Sequence, residues 1–90
     1  MTRVVFVGTH GPLAAALRRG AFVGPPPEEA VVEAIEELEV PLPPRLEEPG
    51  PDDLVVDTAQ WNLPDPVGLC LEEVRELRAV IEQRISSLPK

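Results

Sequence analysis

Val4, Val5, Phe6 and Val7 form an unbroken apolar run, mostly β-branched. That is the pattern of a strand buried on both faces, as in a parallel sheet. Gly8, Thr9, His10 and Gly11 interrupt it. Pro12 follows, pre-set for the first turn of a helix, where its missing N–H costs nothing. Leu13 to Arg19 continue the helix until Gly20, a stop signal. Ala21-Phe22-Val23 reads as a short second strand, closed by Gly24 and the stiff, extended Pro25-Pro26-Pro27. Glu28 and Glu29 then suit the first turn of a second helix. Its Ala30, Val31, Ala34, Ile35 and Leu38 make one apolar stripe. Pro41 forbids its continuing past Val40.

Val40 to Pro51 holds five prolines and a glycine. It reads as an ordered loop, with room for an extended edge segment around Leu42 to Leu46 but not for a central strand. Asp53-Leu54-Val55-Val56-Asp57 is a third strand, a short apolar core fenced by acids. Thr58 to Gly68 is irregular, with Trp61 as a core or interface anchor and Pro64-Asp65-Pro66 as a rigid turn. The last helix starts near Leu71. Leu71, Val74, Leu77, Ile81, Ile85 and Leu88 recur at three- and four-residue steps, with Glu72 and Glu73 at its start and Arg84 near its end. Arg78 and Glu82 are spaced to pair one turn apart. Alternating strands and helices predict an α/β fold: a small three-layer domain spanning residues 1–90, its short parallel sheet in the order 2-1-3 with helices on both faces. The loop after the first strand then lies at the switch point of the sheet, where such folds bind ligands.

Composition narrows the possibilities. A 90-residue chain buries only about 60–65% of its unfolded surface. A homodimer that covers an edge strand is therefore expected. Hydrophobic residues are 43% of the chain but aromatics only 3%, so the core must be built from Val, Leu, Ile and Ala. A net charge of −8 makes nucleic acid and anionic membranes poor partners. Cys70 is the single cysteine, which excludes an internal disulfide and a multi-Cys zinc site. Asp52, Asp53 and Asp57 are too few and too irregularly spaced for a hard-metal site. No metal and no cofactor are expected. There is no charged-then-apolar leader and no apolar run near 18 residues, so a soluble, cytoplasmic protein is expected.

Two segments carry a resemblance. VVFVGTHGPLAAALRR (residues 4–19) resembles the opening of the low-molecular-weight protein tyrosine phosphatases and their thioredoxin-coupled arsenate reductase relatives. That family begins with a hydrophobic strand, a Cys-x5-Arg-Ser phosphate loop and a helix, whose start Pro12 to Leu17 matches. The tail, WNLPDPVGLCLEEVRELRAVIEQRI (residues 61–85), is similar to the arsenate-reductase end, where a Trp, an Asp-Pro turn and a Glu/Arg-rich helix follow one another. EAIEELEVPLPPRLEE and PDDLVVDTA look like shortened versions of the family's second helix and third strand. The chain departs from the family where its chemistry sits. Gly8 stands at the nucleophilic cysteine, and the loop lacks both the arginine that grips phosphate oxygens and the assisting serine. Covalent phosphoryl or arsenyl transfer needs a nucleophile of lowered pKa, which glycine does not supply.

The resemblance implies a shortened, catalytically silent relative acting as a binding or interaction module. Gly8, Thr9, His10, Gly11 and Leu13 are the candidate anion site, holding phosphate, sulfate or arsenate weakly through backbone N–H groups and the helix end. The alternative for the glycines is a tight turn that needs their backbone freedom. Asp65 matches the family's general acid, a role left empty without a nucleophile. Cys70 is either a thiol activated by a helix N-terminus or half of a capping box with Glu73. The rival readings are an enzyme working through His10, Asp65 or Cys70, and a structural remnant with no ligand.

Overall fold

In chain order the elements are β1 (Val4–Val7), α1 (Gly11–Arg18), β2 (Ala21–Val23), α2 (Glu29–Glu36), β3 (Arg45–Leu46), β4 (Leu54–Asp57), a 3-10 turn (Thr58–Trp61) and α3 (Leu71–Ser86). They come from a computed structural model that describes residues 3–87. Leu88, the last member of the expected α3 stripe, lies outside the described residues. The strands form one parallel sheet in the order β3-β2-β1-β4. The class is α/β, as the alternation predicts. β1 is interior, and Val5 and Phe6, whose side chains leave opposite faces, are both fully buried.

Two features differ from the expected architecture. The sheet has four strands rather than three, because the proline-rich segment contributes β3 at the edge beside β2. Prolines cannot donate to a ladder but they can accept, and the Pro44 carbonyl takes the Phe22 N–H at 3.1 Å. The helices also do not divide between the two faces. α1 packs on β1 and β2, α2 and α3 each pack on α1, and α3 packs on α2. Helices on opposite faces could not touch through the sheet. The connection that returns from β3 to β4 contains no helix, so the second face receives none.

The reason lies in α1. Its residues Gly11 to Ala16 are all buried, as a helix without a polar face must be. It needs cover on the side away from the sheet, and α3 supplies it. Val74, Leu77, Ile81 and Ile85 of α3 join Phe6, Phe22, Leu13 and Ile35 in a single core. α1 ends at Arg19 in a left-handed conformation (φ 60°) rather than at Gly20.

Polar contacts fasten the second layer. The Glu37 carboxylate, just past α2, accepts from Arg75 and from Arg78 Nη1 (2.9 Å). Arg78 Nη1 also donates to the Ala34 carbonyl at 2.6 Å. Arg78 therefore reaches across to α2 instead of pairing with Glu82 on its own helix: the interhelical site offers two acceptors, the local one only a solvated carboxylate. Just before β1 and β4, Arg3 holds Asp53 through two hydrogen bonds of 3.1 and 2.9 Å. No helix among the described residues is long and apolar enough to cross a membrane.

Candidate functional site

The carboxyl ends of β1, β2 and β4 meet at one edge of the sheet, and the Gly8–Gly11 turn lies there. Gly8 adopts φ +114°, a conformation that L side chains rarely take. Its N–H donates to the Val23 carbonyl at 3.1 Å, and its carbonyl accepts the Gly11 N–H at 3.0 Å. Gly11 is equally confined, since a Cβ there would lie 2.9 Å from the Phe6 carbonyl oxygen and 3.0 Å from the Phe22 Cβ. Two of the five residues expected to cradle an anion therefore spend their N–H groups inside the protein. Pro12, in the first turn of α1, has no N–H. Thr9, His10 and Leu13 donate to no backbone carbonyl among the described residues.

Thr58 is the residue that sequence reasoning missed. The β1–β4 register pairs Val7 with Asp57, so the next residue on each strand arrives at the same place. Thr58 is fully buried and its hydroxyl donates to the Val7 carbonyl at 2.7 Å. A Cβ built on Gly8 would lie 2.5 Å from Thr58 Oγ1. The space that a side chain at residue 8 would need is occupied by a neighbour's hydroxyl. The signal was a threonine at the end of a strand run, legible only once the parallel register with β1 is known.

His10 is 5% exposed. Its Nε2 lies 2.8 Å from the Pro64 carbonyl. A carbonyl oxygen only accepts, so Nε2 carries the hydrogen and neutral His10 is the Nε2–H tautomer. Its Nδ1 is buried and has no hydrogen-bond partner among the described residues. This histidine ties the 62–69 loop to the start of α1 as a structural tether.

Thr9, His10 and Asp65 line one open cleft of about 320 Å³ together with Asn62 and Leu63. Asp65 is exposed and its Oδ1 accepts from the Val67 N–H at 2.9 Å. That contact is an Asx turn closing Pro64–Pro66. Among the described residues the cleft thus holds the Asp65 carboxylate and no Lys or Arg, an electrostatic setting that disfavours an oxyanion. Cys70 is not part of it. It is exposed and sits at the start of α3, where its N–H donates to Glu73 Oε1 at 3.2 Å. Hydrogen bonds from the Cys70 thiol, and then from its N–H, hold the Glu73 carboxyl below the usual range. The capping-box alternative for Cys70 and Glu73 is the arrangement observed. Among the described residues no group of three His, Cys, Asp or Glu side chains could hold a metal ion.

One cation stands at this edge of the sheet that the sequence did not single out. Arg45 of β3 donates through Nε to the Gly24 carbonyl at 2.7 Å, and Gly24 packs on the Gly8 backbone. Comparisons with protein-family models, with curated proteins and with solved structures find no match for this chain.

Proposed function

We propose that this chain is a non-catalytic interaction module, built like a shortened phosphatase or arsenate reductase whose reactive loop has closed on itself. The observation that carries the reading is the contact of Thr58 with Gly8. No side chain fits at residue 8 without strain and displacement, so no nucleophile can stand at the mouth of the α1 turn. The remaining chemical groups support it. His10 Nε2 is committed to the Pro64 carbonyl, Asp65 to its own turn, and Cys70 to the cap of α3. None of the three is within a described hydrogen bond of another, as a base and its nucleophile would be.

A second reading, weak oxyanion binding, is favoured by one specific arrangement. The Thr9, His10 and Leu13 N–H groups lie at the start of α1, and Arg45 brings a guanidinium to the same edge of the sheet. Phosphate, sulfate and arsenate are its ligands.

Incubation with p-nitrophenyl phosphate, and with arsenate plus thioredoxin, tests the main reading. Turnover at the buffer rate is expected in the parent chain and in Asp65→Asn alike. Turnover that Asp65→Asn abolishes overturns it. Calorimetric titration with phosphate decides the second reading. Heat that disappears in Arg45→Ala supports it, and none at millimolar anion removes it.

A further inference from the structure

The 62–69 loop and α3 enclose a groove of about 290 Å³ that shares Leu63 with the cleft just described. Its floor is Leu63, Leu69, Leu77 and Val80, and its rim is Glu73 and Glu76. Among the described residues no Lys or Arg lines it. The charge is sorted by the packing of α3. The two arginines on this half of the helix, Arg75 and Arg78, are drawn to Glu37 on the α2 side. Glu73 and Glu76 have no ion-pair partner among the described residues. Val80, one of the lining residues, remains 38% exposed, and Val67, on the loop that forms the wall, is 59% exposed.

The wall is preformed. His10 anchors Pro64, Asp65 closes its turn on Val67, the Leu69 N–H donates to the Pro66 carbonyl, and the Gly68 N–H reaches Glu28 of the α2 cap. An occupant does not have to order this loop on arrival, which removes a cost of binding.

We infer that this groove is the docking site of a cationic amphipathic segment of another protein, one that sets leucine-sized side chains on the Leu63–Leu77–Val80 floor and a lysine or arginine against Glu73 and Glu76. The inference rests on the interaction-module reading and names its surface and its partner chemistry. Charge decides among the occupants. A second copy paired about a two-fold axis would bring the same acidic rim against itself. Nucleic acid and anionic lipid are repelled by the rim and by the net charge of −8. A basic segment meets opposite charge at the rim and apolar surface at the floor, the two requirements of a helix-in-groove or similar peptide mode.

The test is a titration of the isotopically labelled chain with a short synthetic helix of leucines and lysines, followed by amide shift mapping. Two control peptides go with it, a leucine-to-serine version of equal charge and a leucine–glutamate version. Saturable shifts centred on Leu63, Leu69, Glu76 and Val80 are expected with the first peptide only. Binding should be about tenfold weaker in Glu76→Lys and in Val80→Ser, two exposed positions, and should weaken as salt rises. Equal binding of the serine peptide overturns the inference, because charge alone then suffices. So do shifts centred elsewhere on the unmodified chain, a readout that does not depend on any variant folding. A concentration-dependent dimer that Val80→Ser abolishes also overturns it, with a second copy as the occupant. Turnover assays report separately on the non-catalytic reading, so either idea can fail without the other.

Discussion

The hydroxyl of Thr58 fills the space that a side chain on Gly8 would need, its Oγ1 lying 2.5 Å from the position of a Cβ there. The same hydroxyl donates to the Val7 carbonyl. The end of β1 is thereby locked to the end of β4.

Gly8→Ala should cost about 2–5 kcal/mol, the sum of a left-handed backbone strain and an overpacked contact. Thr58→Ala alone should cost about 1–3 kcal/mol, since it removes a fully buried hydroxyl and takes its donor from the partly buried Val7 carbonyl. The double variant should lose less than the sum, with a coupling of at least about 0.5 kcal/mol, because removing Oγ1 relieves the clash though not the φ strain. Urea unfolding midpoints of the four proteins measure this. Strict additivity would show that the contact does not confine residue 8.

His10→Ala should destabilise the chain by about 2–3 kcal/mol, through a lost hydrogen bond and a cavity beneath the loop. Limited proteolysis should then cut within residues 62–69 well before the parent chain is cut, because the Pro64 carbonyl is no longer held. His10→Gln, which can still donate, should restore part of the protection. A melting midpoint shift without any change in cleavage sites would argue against the tether.

Stability should fall in acid, and Glu37 should be a main cause. Hydrogen bonds from Arg75 first, then from Arg78, lower its pKa to about 2. A carboxyl depressed in the folded state binds its proton more readily in the unfolded chain. Its contribution is therefore complete above the unfolded value near 4.5 and is lost as pH falls from there toward 2. Asp53, lowered by the hydrogen bond from Arg3 and then by the Gly50 N–H, acts in the same direction. Glu37→Gln should lower stability at pH 7 and flatten its decline between about pH 5 and pH 2. Chemical denaturation across that range reads the slope, and an unchanged slope in Glu37→Gln would remove this residue from the acid response.

Ile81→Ala should cost about 2–5 kcal/mol, because Ile81 is fully buried where α3 covers α1 and α2. Val55→Ser should change stability by no more than about 0.5–1 kcal/mol, since Val55 is 49% exposed on the edge strand β4. Thermal melts compare them. Similar losses in both would contradict helices stacked on one face of the sheet.

Much of the architecture was legible in the residues themselves. β1 at Val4–Val7 and β2 at Ala21–Val23 follow from short apolar runs bounded by glycine and proline. The Ile81–Ile85 end of α3 follows from three- and four-residue spacing. The Cys70–Glu73 cap follows from two residue types three apart. Each of these depends on neighbours in sequence, and local rules reach them. The candidate site was only half legible. The turn at Gly8–Gly11 was found, but not whether its N–H groups face outward or inward, because their acceptors, Val23 and Gly8 itself, are supplied by strand pairing and turn geometry.

The chain alone therefore determined which segments are strands and helices, and that an α/β sheet results, because periodicity and Gly/Pro punctuation are properties of adjacent residues. Tertiary structure decided the rest. It recruited Arg45–Leu46 as a fourth strand, since a proline carbonyl can accept where its nitrogen cannot donate. It gathered all three helices on one face, since α1 has no polar side to leave exposed. It set Thr58 against Gly8, since a parallel register brings the ends of distant strands together. Contacts between residues fifty positions apart are chosen by packing and hydrogen-bond satisfaction in three dimensions, which no local pattern encodes.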